Sequence, residues 1–265
     1  MFPLAAKIFP ATAPDLAQLL SESLQRIFIT AAEPVTIASD SYPTLQSLRI
    51  SLDDAELRPS PPRPPVVSGE RSPALQVSEL RLEGSRLSLG PATADLQLTA
   101  RDVVLEQGRD AQDEIVLVLR SAADGQVSIA TDKSELEKAI AAVATIEAGK
   151  QGVTIENVRL ILQERGPRSL SGEVQVKAKK LFFSTVIQIA AQLDLDDELN
   201  ATLSGLACKG DGTIGTLACS VLAPHLQKID GRTFSLMALP LGDVRLRDVR
   251  LAAGDKITVQ AEFGA

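Results

Sequence analysis

Apolar residues recur at every second position over long stretches of this chain, the spacing of strands that bury one face. The clearest run puts Leu181, Phe183, Ile187, Ile189, Ala191, Leu193 and Leu195 on one parity, broken only by Thr185. Ser184, Gln188, Gln192, Asp194 and Asp196 occupy the other. Upstream, Leu170, Gly172, Val174, Val176 and Ala178 alternate with Ser171, Glu173, Gln175, Lys177 and Lys179. Downstream, Leu199, Ala201 and Leu203 alternate with Asn200, Thr202 and Ser204. Together these runs predict an antiparallel meander over about 170–207.

Three segments change to helical spacing, each behind a start signal. Pro14 and Asp15 open Leu16, Leu19, Leu20, Leu24 and Ile27; Asp132 or Ser134 opens Leu136, Ala139, Ile140 and Val143. Thr213 opens Ile214, Leu217, Ala218, Val221, Leu222, Leu226 and Ile229. Pro224 lies inside this third pattern and removes one backbone donor, so a bend is expected around Ala223.

An octad, apolar-x-apolar-x-(Asp/Asn)-apolar-x-apolar, recurs at Ile50–Leu57, Leu98–Leu105, Val153–Leu160 and Val244–Leu251, with a looser copy at Leu80–Leu87. The apolar parity switches at the fifth position. One extra residue there, able to adopt the left-handed conformation, would form a β-bulge and return the second apolar pair to the first pair's face. Simple hairpin turns are the alternative. The run Arg58 to Pro65, extended by Ser72 and Pro73, predicts a loop between strands over about 58–73. With no second change of composition, a single domain over 1–265 is expected.

Composition narrows the chemistry. With net charge −7 and an isoelectric point near 4.9, the chain lacks the positive field that recruits nucleic acid. Aromatic residues are 3% of the chain, with no Trp and one Tyr, so stacking platforms are absent and the core must be aliphatic. One His (His225) and two Cys (Cys208, Cys219) cannot assemble a zinc site, and no metal or cofactor is expected. Whether the two cysteines pair is left open by the sequence. Residues 1–10 lack the basic segment and continuous apolar stretch of a signal peptide, and 181–193 is too short to cross a bilayer. A cytoplasmic protein, or one peripheral to a membrane, is therefore expected.

Catalytic constellations are weak. Ser220 lacks a nucleophile-elbow context, and His225 has no acid or nucleophile at a defined spacing. Asp53/Asp54 and Asp196/Asp197 are adjacent pairs whose members point to opposite faces of a strand. The glycines of 205–212 do not form a phosphate-binding fingerprint. A protein without enzymatic activity is expected. Long aliphatic strand faces with few bulky fillers, beside three amphipathic helices, suit an apolar cavity for acyl chains or an ordinary filled core.

The C-terminal third resembles the LmeA family of bacterial phospholipid-binding proteins. The residues that carry the resemblance run from Leu193 to Leu199, through Gly212 and the third helix to Gly231, then Leu239 to Leu251 and Ile257 to Gly264. The resemblance is firmest over 150–264 and looser over 1–149. It implies an α+β, TULIP-like fold: an elongated, strongly twisted antiparallel β-sheet wrapped with about three to four amphipathic helices into a half-barrel with an apolar central cavity. It further implies binding, and transfer, of phospholipid or another hydrophobic ligand, with peripheral membrane contact.

The expected lipid-binding residues are Leu136, Ile140, Val143, Ile187, Ile189, Leu217, Val221, Leu222 and Leu226. Ahead of the first helix, Phe2, Leu4, Ile8 and Phe9 suit either a gate over the cavity or a disordered terminus. From a different class, a scaffold with a filled core would bind a protein partner through an open sheet edge. Nothing in the sequence sets the oligomeric state.

Overall fold

A computed structural model describes residues 2–62, 65–150, 152–180, 183–196, 200–235 and 243–265. The chain groups into two compact units. The first comprises 1–130, 238–248 and 260–265; the second comprises 131–237 and 249–259. In chain order the elements are β1 (Phe2–Pro3), α1 (Ala13–Ile27), β2 (Phe28–Ile29), β3 (Val35–Ala38), β4 (Thr44–Ser51), β5 (Glu56–Leu57), β6 (Ser68–Leu89), β7 (Ala92–Arg109), β8 (Ile115–Ser121) and β9 (Asp124–Asp132). They continue with α2 (Lys133–Gly149), β10 (Thr154–Gly166), β11 (Ser169–Lys180), β12 (Phe183–Leu195), β13 (Asn200–Gly210), α3 (Gly212–Ile229), β14 (Arg232–Ser235), β15 (Leu246–Ala253) and β16 (Lys256–Gly264).

The half-barrel does not form. The strands make two separate sheets, one of eleven strands along the path β15-β16-β9-β7-β6-β4-β3 and one of five in the order β10-β11-β12-β13-β14, neither closed nor strongly curled. The single wrapped sheet and the TULIP-like likeness are both corrected by this. Nor is the pairing wholly antiparallel, since β6 runs parallel to β4 and β5.

A physical reason for the division lies at β10. After β9 the chain turns into α2, and Glu137 on that helix accepts the Leu160 backbone N–H at 2.8 Å through Oε1. Nearby, Glu164 takes the Ala253 N–H at 2.6 Å, and the Pro167 carbonyl takes that of Leu251 at 3.0 Å. Side chains and loop carbonyls thus satisfy groups that a continuous ladder would have used.

The octads divide between the two readings: the first copy turns at Asp54 between β4 and β5, while the copies in β7 and β15 keep Asp102 and Asp248 inside a strand. Asp54, Asp102 and Asp248 adopt left-handed backbone, at φ 54°, 48° and 50°. Both apolar pairs then face inward: Leu98, Ala100, Val103 and Leu105 are all buried around Asp102, and Leu246, Val249 and Leu251 around Asp248. At the Val153 copy the register to β11 slips between Ile155 and Asn157 without a left-handed residue. In the looser copy the positive φ falls on Arg86 rather than Gly84.

In the first unit the aliphatic faces close on a dry core. Leu16, Leu20 and Leu24 form the buried stripe of α1, whose start is capped by Thr12 accepting the Asp15 N–H at 3.3 Å. Ile115 to Leu119 are all buried, because β8 lies between β7 and β1. The N-terminal segment is neither a free gate nor a disordered end: Phe2 and Pro3 pair with Leu117 and Val116, and Leu4 is fully buried. Phe263 packs on Gly125, where a Cβ would come within 2.3 Å of its ring. The buried carboxylate of Glu106 is paired with Arg120.

The proline-rich segment also departs from expectation at its end. Pro73 lies within β6, opposite Glu106 and at a register shift. Its missing N–H is tolerated because β4 begins to pair with β6 only at Gln76.

Candidate functional site

All nine expected lipid-binding residues belong to the second unit, which is built on the predicted meander. Its register carries one apolar parity across the sheet: Leu160 pairs with Val174, Val174 with Ile189, and Ile189 with Cys208. The next rows are Val158, Val176 and Ile187, then Leu170, Leu193 and Leu203. Period-two geometry places these side chains on one face and Arg159, Gln175, Gln188 and Lys209 on the other. Leu181 and Leu199, which belong to the predicted alternation, lie outside the described residues.

Helix α3 lies on that apolar face, tethered by a Cys208–Cys219 disulfide with Cα atoms 5.4 Å apart. Its approach is closest at its N-terminal end. A Cβ on Gly210 would fall 2.2 Å from the Gly215 backbone, so helix and strand meet where neither carries a side chain. The Thr185 hydroxyl donates to the Asp211 carbonyl at 2.9 Å and fixes the turn into the helix. Gly215, Cys219, Leu222 and Leu226 then form a helical stripe that is buried or half-buried. Pro224 is accommodated within the helix, which continues to Ile229.

Cover over the face is incomplete. Val174, Ile187, Ile189, Leu193 and Leu203 are half-buried rather than buried, although most of their polar neighbours point to the opposite face. Leu217 on α3 is 61% exposed, and Val143 and Ile146 on α2 are 57% and 64% exposed. Leu136 and Ile140 are half-buried on α2, which packs against β10, while α3 packs against β13 and β12. Seven of the nine therefore fall into two groups, Leu136, Ile140 and Val143 on the helix beside β10 and the rest at β12 and α3. Leu222, Leu226, Ile187 and Ile189 form the group beneath α3; Leu217 faces outward. The side chains of Val221 and His225 lie outside the described residues.

The opposite face is polar and offers a cleft of about 200 Å³ beside Ile161, Glu173, Ala190 and Gln192. At one end of the strands, Glu156 is held below the ordinary carboxylate value, chiefly by its hydrogen bond to Lys177, whose Nζ lies 3.0 Å away. The Ser184 hydroxyl adds a 3.3 Å hydrogen bond to the same carboxylate. Among the described residues no group of three or more His, Cys, Asp or Glu could hold a metal, and no helix is long and apolar enough to cross a membrane.

Sequence reasoning left the disulfide undecided and did not foresee the close approach of Gly210 and Gly215. The signal for the latter was two glycines five residues apart across a strand-to-helix turn.

Comparison with known proteins gives no support from homology: no protein family, curated protein or solved structure matches this chain. The resemblance to the LmeA family is thereby corrected, since the two-sheet architecture is not the one that resemblance requires.

Proposed function

We propose that this protein binds phospholipid or another acyl-chain lipid without catalysing a reaction, and that the apolar face of its five-stranded sheet beneath α3 receives the chain. The observation that supports this reading is the half-buried state of Ile187, Ile189, Val174 and Leu193 on a predominantly aliphatic face that Thr185 and the disulfide-bonded Cys208 interrupt. Ten methylenes transferred from water to such a face supply about 8 kcal/mol, the equivalent of a micromolar dissociation constant before ordering costs. Leu217, Val143 and Ile146 would meet a bilayer surface during loading.

A scaffold reading has one observation in its favour. Strand β14 pairs only with residues 200–203 of β13, a short outer strand of the kind that can be extended by a partner.

Native mass spectrometry separates the two readings. The gently purified protein, before and after incubation with phosphatidylcholine–phosphatidylglycerol vesicles, is expected to carry discrete phospholipid masses. Ile189→Glu is expected to lose them while keeping its far-ultraviolet circular dichroism. A mass that stays clean after incubation, or an Ile189→Glu variant that keeps the adduct, overturns the lipid reading in favour of the scaffold.

A further inference from the structure

The first unit contains a cavity that the strand-face reading does not use. It is a cleft of about 630 Å³, open to solvent, between the end of α1, β5, the N-terminal segment and the proline-rich loop. Its apolar walls include Pro3, Ile27, Leu57, Pro61, Pro65 and Val66. Five polar residues are set among them: Ser23, Arg26, Asp110, Gln112 and Glu114.

The cavity is preformed. The Arg58 N–H donates to the Ile27 carbonyl at 2.9 Å, and its Nε donates to that of Gln25 at 2.7 Å, which fixes the loop's first end against the helix. At the other end Val67 packs on Gly108, where a Cβ would be 2.3 Å from its methyl group. Leu4 N–H to Ile115 carbonyl and Ile115 N–H to Ala6 carbonyl, both 2.8 Å, hold the N-terminal wall. Proline side chains lose no rotamer entropy on contact, so such walls bind at low ordering cost.

Charge is displayed at this cavity in an unusual way. Asp110 is occupied by its own turn, accepting the N–H groups of Gln112 and Glu114 at 2.9 Å. The Arg26 guanidinium and the Glu114 carboxylate, in contrast, make no hydrogen bond or ion pair with any described residue. An exposed cation and a half-buried anion thus border one apolar space, neither paired with a described residue. At about 30 Å³ for a group of water size, the cleft takes about 20 such groups, the size of one acyl chain with its head.

The geometry points to a second binding site in this cavity for a single-chain zwitterionic amphiphile, its phosphate on Arg26 and its ammonium on Glu114. This inference does not rest on the strand-face reading, and it stands if that reading fails. The test uses the full chain and isothermal titration with dodecylphosphocholine below its micelle concentration, with laurate and dodecyltrimethylammonium as head-group controls. With the strand face disabled by Ile189→Glu in every variant titrated, dodecylphosphocholine is expected to bind one-to-one and most tightly of the three.

Arg26→Gln and Glu114→Gln should each weaken dodecylphosphocholine about tenfold. Arg26→Gln should spare dodecyltrimethylammonium, and Glu114→Gln should spare laurate. Ala111→Trp, a filler introduced from an exposed turn position on the cavity wall, should abolish binding of all three. Lys209→Ala, on the polar face of the second unit, should change none of them. Equal affinity for the three probes, unchanged binding in both charge variants, or binding that survives Ala111→Trp would overturn the assignment.

Discussion

The two units are written in the same alternating aliphatic code, yet they use it differently. In the first, Leu105 and Phe263 are 0% exposed, and every one of the largest fully buried side chains belongs to that unit. In the second, Val249, Ala178, Leu160, Val158, Leu170 and Val176 are buried, while Val174, Ile187, Ile189, Leu193 and Leu203 stay half-buried and both helices expose large apolar side chains. The first thus fills the space between its strand faces and confines its cavity to the end of α1, β5 and the proline-rich loop, whereas the second leaves an aliphatic strand face half-covered. Burial, rather than hydrophobic pattern, marks the difference.

The largest test of this contrast deletes side chains. Phe263→Ala should cost about 3–5 kcal/mol, and Leu105→Ala about 2–5, because neither site can collapse around the loss. Ile189→Ala, a deletion on a half-covered face, should cost under about 2 kcal/mol. Urea denaturation measures all three, and equal losses in the two units would remove the distinction.

Next in size is the tether of α3. The Cys208–Cys219 bridge spans a separation of 11 residues, so the Cys208→Ala, Cys219→Ala double variant should be less stable by about 2–3 kcal/mol. Hydrogen exchange should then accelerate in α3 and β13 and remain unchanged in β7 and β8.

Smaller effects follow on the exposed helix faces. Leu217→Ser and Val143→Ser should each alter stability by no more than about 0.5 kcal/mol and should reduce vesicle association in flotation assays. A large loss of stability would instead make these residues part of a filled core.

The smallest effects are titrations, one in each unit. Tyr42, the single tyrosine, donates its hydroxyl to the Pro10 carbonyl at 2.8 Å. Burial, assisted by the Asp15 carboxylate, pushes its pKa up to about 12. The folded state therefore holds this proton more tightly than the unfolded chain. The resulting stability is complete below about pH 10 and is lost as pH rises towards 12. Absorbance at the phenolate band should show a midpoint near 12 in buffer and near 10 in urea. In the second unit the depressed Glu156 acts in the opposite sense. Its contribution is present above the ordinary glutamate value and is lost as pH falls through its lowered folded value; Glu156→Gln should remove that dependence.

What the sequence made legible was local. Alternation located the meander, and the Asp positions of the octads located left-handed residues at 54, 102 and 248, because parity and left-handed tolerance are properties of a few neighbouring residues. All three helices appear near their predicted starts, at Ala13, Lys133 and Gly212. What could not be read was long-range. The parallel pairing of β4 with β6 is set across the proline-rich segment, and the edge closure by Glu137 depends on a helix and a strand meeting 23 residues apart. These contacts decide between two sheets and one wrapped sheet, and no periodicity encodes them. The site was legible in the same partial way: period two gave the face of Ile187 and Ile189, whereas the side of α3 that meets it was fixed by the disulfide and by Gly215.

The most direct test of the half-covered face is hydrogen exchange measured by mass spectrometry on the whole protein, with and without phosphatidylglycerol vesicles. Lipid should slow exchange in β12, β13 and α3, residues 183–195 and 200–229, and leave β7 and β8 of the filled core unchanged. Exchange that is identical with and without lipid, or protection spread evenly over both units, would contradict the account.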